Sequence, residues 1–195
     1  MATPKSQRIG IWIIAVVLML GTLGSFLVMG LSMGNQKTDA AKSQKDYAKA
    51  LADYQTQQKA AAQVNADNSE ALSGYEPRTF NSADVTSLKV ETLIEGTGDV
   101  VKATDSVKSS YFGWTSDGKI FDSSKKKSTE DSPATFALSG VIKGWTEGLT
   151  GVKVGSVIRL TTPADQAYGS TDSGIIPANS PLEFIVKVQN IEAAA

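Results

Sequence analysis

The sequence predicts an α+β fold, an antiparallel sheet packed on one short helix, preceded by a transmembrane helix and a helical spacer. Three observations support this interpretation. An uncharged apolar run occupies residues 9–33, and an Ala-, Gln- and Lys-rich stretch follows it. Beyond it, Val, Ile, Thr and aromatic residues occur in short runs separated by Gly, Asp and Ser. The predicted parts are an anchor (1–36), a helical linker (37–74) and a domain (75–195) with its core at about 88–191.

The composition excludes several kinds of chemistry. The 195-residue chain contains no His and no Cys. It therefore has no disulfide, thiol nucleophile, Ser-His-Asp triad or ordinary zinc site. A formal net charge of −1 gives no basic field for nucleic acid. The acidic segment 122–132 carries three lysines and lacks the residue order of a calcium loop, so we expect no metal and no cofactor.

Residues 9–33 predict a membrane-spanning helix. These 25 uncharged residues, rising 1.5 Å each, are long enough to cross a hydrocarbon core of ~30 Å. Lys5 and Arg8 precede the run and favour a cytoplasmic N-terminus with the C-terminal domain outside the cytoplasm. The alternative is a cleavable signal peptide, although the run exceeds a usual signal core and no Ala-x-Ala site follows it. We expect a single-pass signal anchor in the cell membrane, N-in and C-out.

The linker, residues 37–74, consists mainly of good helix formers. Thr38 or Asp39 is expected to cap its helix, and Asn65 or Asn68 to end it. One face carries a thin stripe made of Tyr47, Leu51, Tyr54 and Gln58. A coiled coil needs several sustained apolar heptads, and this stripe fades into alanine, which favours a semi-rigid spacer.

The C-terminal part predicts several strands and one short helix. The strands are expected at 87–94, 105–115, 156–162 and 181–191, where β-branched and aromatic residues concentrate. The Asp-Gly pair within 116–119 is typical of a hairpin turn. Only 141–149, "VIKGWTEGL", is long enough and suitably punctuated for a helix in this region.

Four ordered motifs carry a family resemblance. "YFGWTSDGKIFDSS" (111–124), "VIKGWTEGL" (141–149), "VGSVIRLTTPADQAYG" (154–169) and "GIIPANSPLEFIVKV" (174–188) resemble the FKBP-type (FK506-binding protein) peptidyl-prolyl cis–trans isomerases. The resemblance implies an FKBP-like antiparallel sheet wrapped around one short helix, in a membrane-anchored bacterial-like member. It implies proline-containing polypeptides as substrates and FK506-type macrolides as inhibitors.

That activity suits a chain without histidine or cysteine. Rotation about a peptide bond faces a barrier of about 18–20 kcal/mol that comes from amide resonance. X-Pro bonds have cis and trans forms close in energy. An apolar pocket that grips the proline ring can favour the twisted amide over either planar form, with no acid–base or covalent step.

The resemblance places ten residues in the site. Tyr111, Phe121, Asp122 and Tyr168 are the expected catalytic residues, and Phe136, Val141, Ile142, Trp145, Ile176 and Phe184 the expected substrate-binding residues. Trp145 would form the floor under the prolyl ring. The Ile142 N–H and the Tyr168 hydroxyl would donate to substrate carbonyls, and Asp122 would be a polar wall beside the twisting amide. Phe121, Phe136 and Phe184 could instead be ordinary core residues, and Asp122 a turn cap that Tyr111 anchors.

Departures from the family pattern leave a second hypothesis open. Ala134 stands where many members carry an aromatic residue, and the segment before Val141 is shorter than usual. The arginine common after "FDSS" is missing, and one of Lys125, Lys126 and Lys127, expected in a solvated loop, can replace it.

The first hypothesis is a membrane-tethered isomerase for exported proteins. The alternatives are a catalytically weak peptide-binding or chaperone module on a stalk, and a scaffold whose functional part is the helix.

Overall fold

The computed structural model describes residues 37–192, with side chains from residue 44 onward. No helix within this range is long and apolar enough to cross a membrane. The membrane span predicted at 9–33 lies outside the described residues.

The described chain contains two α-helices and six strands. The helices are α1 (Lys37–Asn68) and α2 (Lys143–Leu149). The strands are β1 (Lys89–Ile94), β2 (Ser106–Thr115), β3 (Ile120–Ser123), β4 (Ala134–Ala137), β5 (Val157–Thr162) and β6 (Leu182–Glu192). Short 3₁₀ turns occupy Ser82–Asp84, Leu138–Gly140 and Ala164–Gln166.

All strand pairs are antiparallel, and the sheet order is β1-β5-β6-β2-β3, with β4 also paired to β2. The predicted antiparallel sheet and short helix are thus confirmed. The sequence prediction did not include β3 and β4. Each has only four residues, and neither alternates apolar and polar residues strictly, which is the pattern that identifies a half-buried strand.

Helix α2 lies close to strand β5 because two glycines face it. A Cβ added at Gly144 would lie 2.3 Å from Thr162 Cγ2, and one at Gly148 would lie 2.3 Å from Leu160 Cδ1. Glycines four residues apart share a helix face, so the helix backbone can approach the sheet directly. This close packing places Trp145, the residue after the first glycine, against the sheet.

Both faces of the central sheet are covered. Alternate residues of β2 point to opposite faces, so Tyr111 lies on the α2 side and Phe112 and Trp114 lie on the other. On that second face Phe112 and Trp114 form a core with residues that include Leu72 and Ile185. The predicted embellishment, residues 75–98, therefore contributes to a second core, because side chains such as Tyr75 and Phe80 also pack there.

An ion pair between the half-exposed Arg78 and the buried Glu183 fixes the covering segment. Glu183 is 1% exposed and accepts two hydrogen bonds from the guanidinium of Arg78, at 3.0 and 2.8 Å. The hydroxyl of Thr161 donates a third, at 2.7 Å. The Arg78 carbonyl in turn accepts from Trp114 Nε1 at 2.9 Å. The burial of Glu183 is thus offset by three donors.

The boundary between the two compact units of the chain lies inside α1, between Ala61 and Ala62. The last residues of the helix belong to the C-terminal unit, where Ala66 and the following Ser69 are buried. The Lys127 N–H donates to the Asn68 carbonyl at 2.8 Å. The linker was predicted to extend to residue 74, whereas the structure joins the chain from residue 62 onward to the domain.

Candidate active site

An aromatic cluster occupies the α2 side of the sheet, with Trp145 at its centre. The ring centroid of Trp145 lies 5.4 Å from Tyr111, 5.2 Å from Phe136 and 5.5 Å from Phe184. Phe121 meets Phe184 at 5.7 Å. These pairs are edge-to-face, the geometry that aromatic quadrupoles favour. The structure therefore brings together five of the predicted site residues, which come from β2, β3, β4, α2 and β6.

A glycine on the central strand makes room for two of these rings. Gly113 pairs with Asp122 on β3 and with Phe184 on β6. A Cβ added there would lie 2.6 Å from Phe121 Cζ and 2.6 Å from two ring atoms of Phe184. Sequence reasoning did not include Gly113 in the site, although a glycine inside a strand is a known sign of close approach.

The Asp122 carboxylate is held by four donors. Oδ2 accepts from the Tyr111 hydroxyl at 2.5 Å. Oδ1 accepts from the Ser123 N–H at 2.8 Å, from Lys126 Nζ at 3.0 Å and from Asn65 Nδ2 at 2.9 Å. Only the Ser123 contact is the local one that a turn cap requires. The others come from β2, the loop after β3 and the end of α1, so Asp122 is the centre of a tertiary network.

Lys126 forms an ion pair with Asp122 at 3.0 Å. Besides Asp122, its ammonium donates to Asn65 Oδ1 at 2.8 Å and to Ser69 Oγ at 2.9 Å. A solvated loop is predicted at residues 125–127, and the Lys126 side chain is 32% exposed. Its three acceptors nevertheless satisfy all three ammonium protons.

The sequence does not identify Asn65 as part of this site. The sequence predicts it only as a possible end of the helix, yet its side chain contacts the predicted catalytic Asp122 from 57 residues away along the chain. Its Nδ2 also lies 3.3 Å from the Phe121 carbonyl. Nothing in the local sequence distinguishes this asparagine from Asn68, three residues later.

Two tyrosines of the site keep their protons well above neutral pH. Burial raises the pKa of Tyr111 far above its usual value, and the nearby Asp122 carboxylate raises it further. Burial, with the same carboxylate, raises the pKa of Tyr168 to about 12. Both hydroxyls therefore remain donors at physiological pH. The Asp122 charge contributes to the raised pKa of both tyrosines.

Two predicted donors have no acceptor among the described residues. The Ile142 carbonyl accepts from the Trp145 N–H at 2.9 Å, because Ile142 caps α2, but its own N–H makes no hydrogen bond within residues 37–192. The Tyr168 hydroxyl makes no hydrogen bond within residues 37–192, although the Asp122 charge acts on it. These two donors suit a carbonyl-rich ligand such as a peptide, whereas Trp145 Nε1, which also has no partner among the described residues, is fully enclosed.

The remaining predicted residues lie on the segments around the cluster. Val141 is half-buried beside Ile142, between a 3₁₀ turn and α2. Ile176 is 5% exposed, so it packs inward more than an exposed rim residue would. Its loop is held by the Asn179 N–H, which donates to the Gly169 carbonyl at 2.7 Å.

The site as a whole is an apolar aromatic surface bordered by one fixed carboxylate and free donors. It contains no nucleophile–base pair, and no group of three or more acidic residues within 37–192 is arranged to hold a metal ion. Such a surface can grip an apolar ring and polarise a carbonyl. It thus suits non-covalent catalysis better than acid–base or covalent chemistry.

Comparisons with known proteins agree with this description. Residues 98–189 match the sequence profile of the FKBP-type peptidyl-prolyl cis-trans isomerases. The chain is 47% identical over 100 residues to the FKBP-type peptidyl-prolyl cis-trans isomerase FkpA of Aeromonas hydrophila, a match that covers 51% of this chain and 36% of that protein. It is 40% identical over 116 residues to FK506-binding protein 4 of Aspergillus fumigatus, covering 58% of this chain and 23% of that one.

A solved structure extends the similarity. The crystal structure of FkpA from Escherichia coli has a TM-score of 0.50 and 28% identity, covering 93% of this chain and 83% of that chain. The sequence matches span only 36% and 23% of the two curated relatives named above. The resemblance inferred from the four motifs is confirmed over the matched region. Residues 98–189 therefore form an FKBP-type peptidyl-prolyl cis–trans isomerase domain.

Proposed function

We propose that this chain is a membrane-tethered peptidyl-prolyl cis–trans isomerase that assists the folding of exported proteins. The observation that carries the proposal is the aromatic cluster around Trp145 with the Asp122 carboxylate fixed at its border. The prolyl ring packs on Trp145, and the Ile142 N–H and Tyr168 hydroxyl bind carbonyls of the substrate.

The proposed catalysis depends on differential binding. An amide twisted midway between cis and trans has lost its resonance, and a pocket shaped for that form lowers the barrier. The apolar rings exclude water from the carbonyl, which otherwise stabilises the planar, more polar amide. Asp122 acts by its fixed charge beside the rotating bond, because its four hydrogen bonds hold it in place.

The location belongs to the same proposal. Residues 9–33 would form a single-pass anchor with the N-terminus in the cytoplasm and the domain outside it. An isomerase held there meets polypeptides as they emerge, before their X-Pro bonds have equilibrated. FK506-type macrolides, which the family resemblance implies as inhibitors, are proposed ligands of the same pocket.

The test measures cis–trans exchange of a short peptide with leucine or an aromatic residue before proline. Exchange is followed by NMR with and without the full 195-residue chain in detergent, since the uncatalysed process takes tens of seconds or more. We expect clear acceleration that Phe121→Ala abolishes while the protein stays folded. Unchanged turnover in Phe121→Ala would place the site elsewhere.

A peptide-binding module without useful turnover is the second candidate, and one observation favours it. Ala134 shares the pocket face of β4 with Phe136, since the two are separated by one residue. Its methyl group leaves one side of the cluster without the aromatic wall that many family members have. Binding of the peptide with no acceleration of exchange would establish this second function.

A further inference from the structure

We propose that Asn65, which precedes the family-matched region 98–189, is a positioning residue that sets the orientation of Asp122. This inference rests on the proposed isomerase function. It assigns part of the site to the end of α1, a segment that precedes the matched region 98–189.

The first argument is the hydrogen-bond network. Oδ1 of Asp122 has three donors, and Asn65 provides one of them and also fixes another. Its Nδ2 donates to Asp122 at 2.9 Å, while its Oδ1 accepts from Lys126 Nζ at 2.8 Å. Removing the side chain therefore deletes one donor directly and takes away one of the three acceptors that hold the Lys126 ammonium, which supplies a second donor.

The second argument is that the end of the helix is itself fixed to the domain. Positions 62, 65, 66 and 69 follow the spacing of one helix face, and along this face the residues are buried or half-buried. The Glu70 N–H donates to the Lys125 carbonyl at 3.0 Å. Asn65 is thus presented to Asp122 by a rigid element and not by a mobile loop.

The third argument is that the same helix end also meets a second segment of the site. A Cβ added at Gly174 would lie 2.7 Å from the Cβ of Ala62. Gly174 belongs to the loop that carries Ile176. The end of α1 therefore contacts both the strand that bears Asp122 and the loop that bears a pocket residue.

The expected consequence concerns turnover more than binding. A carboxylate that acts by its charge needs a fixed position, because Coulomb energy in a poorly solvated site depends steeply on distance. The aromatic surface that grips the proline ring does not include Asn65. Loss of Asn65 should thus lower kcat while KM stays nearly constant.

The experiment compares Asn65→Ala with Asn68→Ala in the full chain. Asn68 is a matched control because its side chain donates only to the Val64 carbonyl of its own helix. We expect Asn65→Ala to lower kcat about tenfold, the effect of losing a hydrogen bond to a charged group. Asn65→Asp, which has the same shape but no donor, should lower it at least as much, and Asn68→Ala should leave both constants unchanged.

A double-mutant cycle tests whether Asn65 acts through Asp122. In an Asp122→Asn background, Asn65→Ala should cause little additional loss, since the group that it positions has already been changed. An equal loss in both backgrounds would overturn the inference. So would equal rates for Asn65→Ala and Asn68→Ala.

A spectroscopic measurement separates this inference from the proposed function. The ¹³C chemical shift of the Asp122 carboxyl should change in Asn65→Ala and not in Asn68→Ala, whether or not the protein turns over substrate. An unchanged shift in Asn65→Ala would refute the positioning role. Failure of the wild-type chain to accelerate exchange would refute the isomerase function alone.

Discussion

Gly113→Ala is the substitution that most directly tests the geometry of the aromatic pocket. The added methyl carbon would lie 2.6 Å from Phe121 and 2.6 Å from Phe184, one ring on each neighbouring strand. Ordinary carbon–carbon contacts are about 3.5–4.0 Å, so each ring must move by about 1 Å. The strand cannot yield instead, because β2 is paired along both edges.

The displacement of the two rings should lower both the free energy of unfolding and the catalytic rate. Overpacking of a well-packed site costs about 1–3 kcal/mol, so the free energy of unfolding should fall by that amount. A 1 Å misplacement of groups that grip a substrate can cost about 100-fold in rate, so kcat/KM should fall about 10- to 100-fold. The fold itself should persist, because the second core on the other face of the sheet is untouched.

The assay combines urea unfolding, followed by tryptophan fluorescence, with NMR measurement of X-Pro exchange. Gly140→Ala is the matched control, since a Cβ there meets nothing within 4 Å. It should leave the rate unchanged and the stability unchanged or raised by up to about 1 kcal/mol. Wild-type stability and turnover in Gly113→Ala would show that the rings relax freely, and that Phe121 and Phe184 do not define the pocket.

Three further predictions follow from the site and its support. Asp122→Ala should lower kcat more than it raises KM in steady-state exchange measurements; equal losses would make Asp122 a ground-state contact only. Because the pKa of Tyr168 is raised to about 12, its contribution to stability is complete below pH 10 and is lost as pH rises towards 12. Unfolding measured from pH 9 to 12 should show this decline, by about 2–3 kcal/mol, and Tyr168→Phe should reduce it. Arg78→Met leaves the buried Glu183 without its main partner and should cost about 1–3 kcal/mol in urea unfolding. Glu91→Gln, which breaks a more exposed pair, should cost less than about 1 kcal/mol, and similar costs for the two would contradict this reasoning.

Much of the domain could be predicted from local pattern. Strands β1, β2, β5 and β6 begin and end within two residues of their predicted limits, because β-branched and aromatic runs bounded by turn residues indicate strands directly. Helix α2 begins two residues later than predicted, since Ile142 serves as its cap. The four motifs also contain four of the five rings in the aromatic cluster, all but Phe136.

Gly113 shows what a local sequence pattern can predict and what it cannot. The glycine inside "YFGWT" indicates that something approaches the strand closely. Which groups approach depends on the pairing of β2 with β3 and β6, and that pairing is non-local. The sequence therefore indicates a close approach at Gly113, but only the register of the sheet identifies Phe121 and Phe184 as the groups that approach.

The sequence by itself determined the kind of chemistry this protein can do. The absence of histidine and cysteine excluded the common covalent and metal-based mechanisms, and the ordered apolar and aromatic motifs indicated a prolyl pocket. Those properties depend on which residues are present and on their spacing along one segment. Composition and short-range periodicity show directly which residue types are available and how they are spaced.

Only the tertiary structure decided what surrounds that pocket. It covered the second face of the sheet, placed Lys126 on Asp122, and brought Asn65 from the preceding helix to the same carboxylate. These contacts join residues whose local sequence gives no sign of them, because an asparagine or a lysine can hydrogen-bond to any acceptor within reach. Which acceptors lie within hydrogen-bonding distance depends on how distant segments pack together. The residue pattern along a single segment does not contain that information.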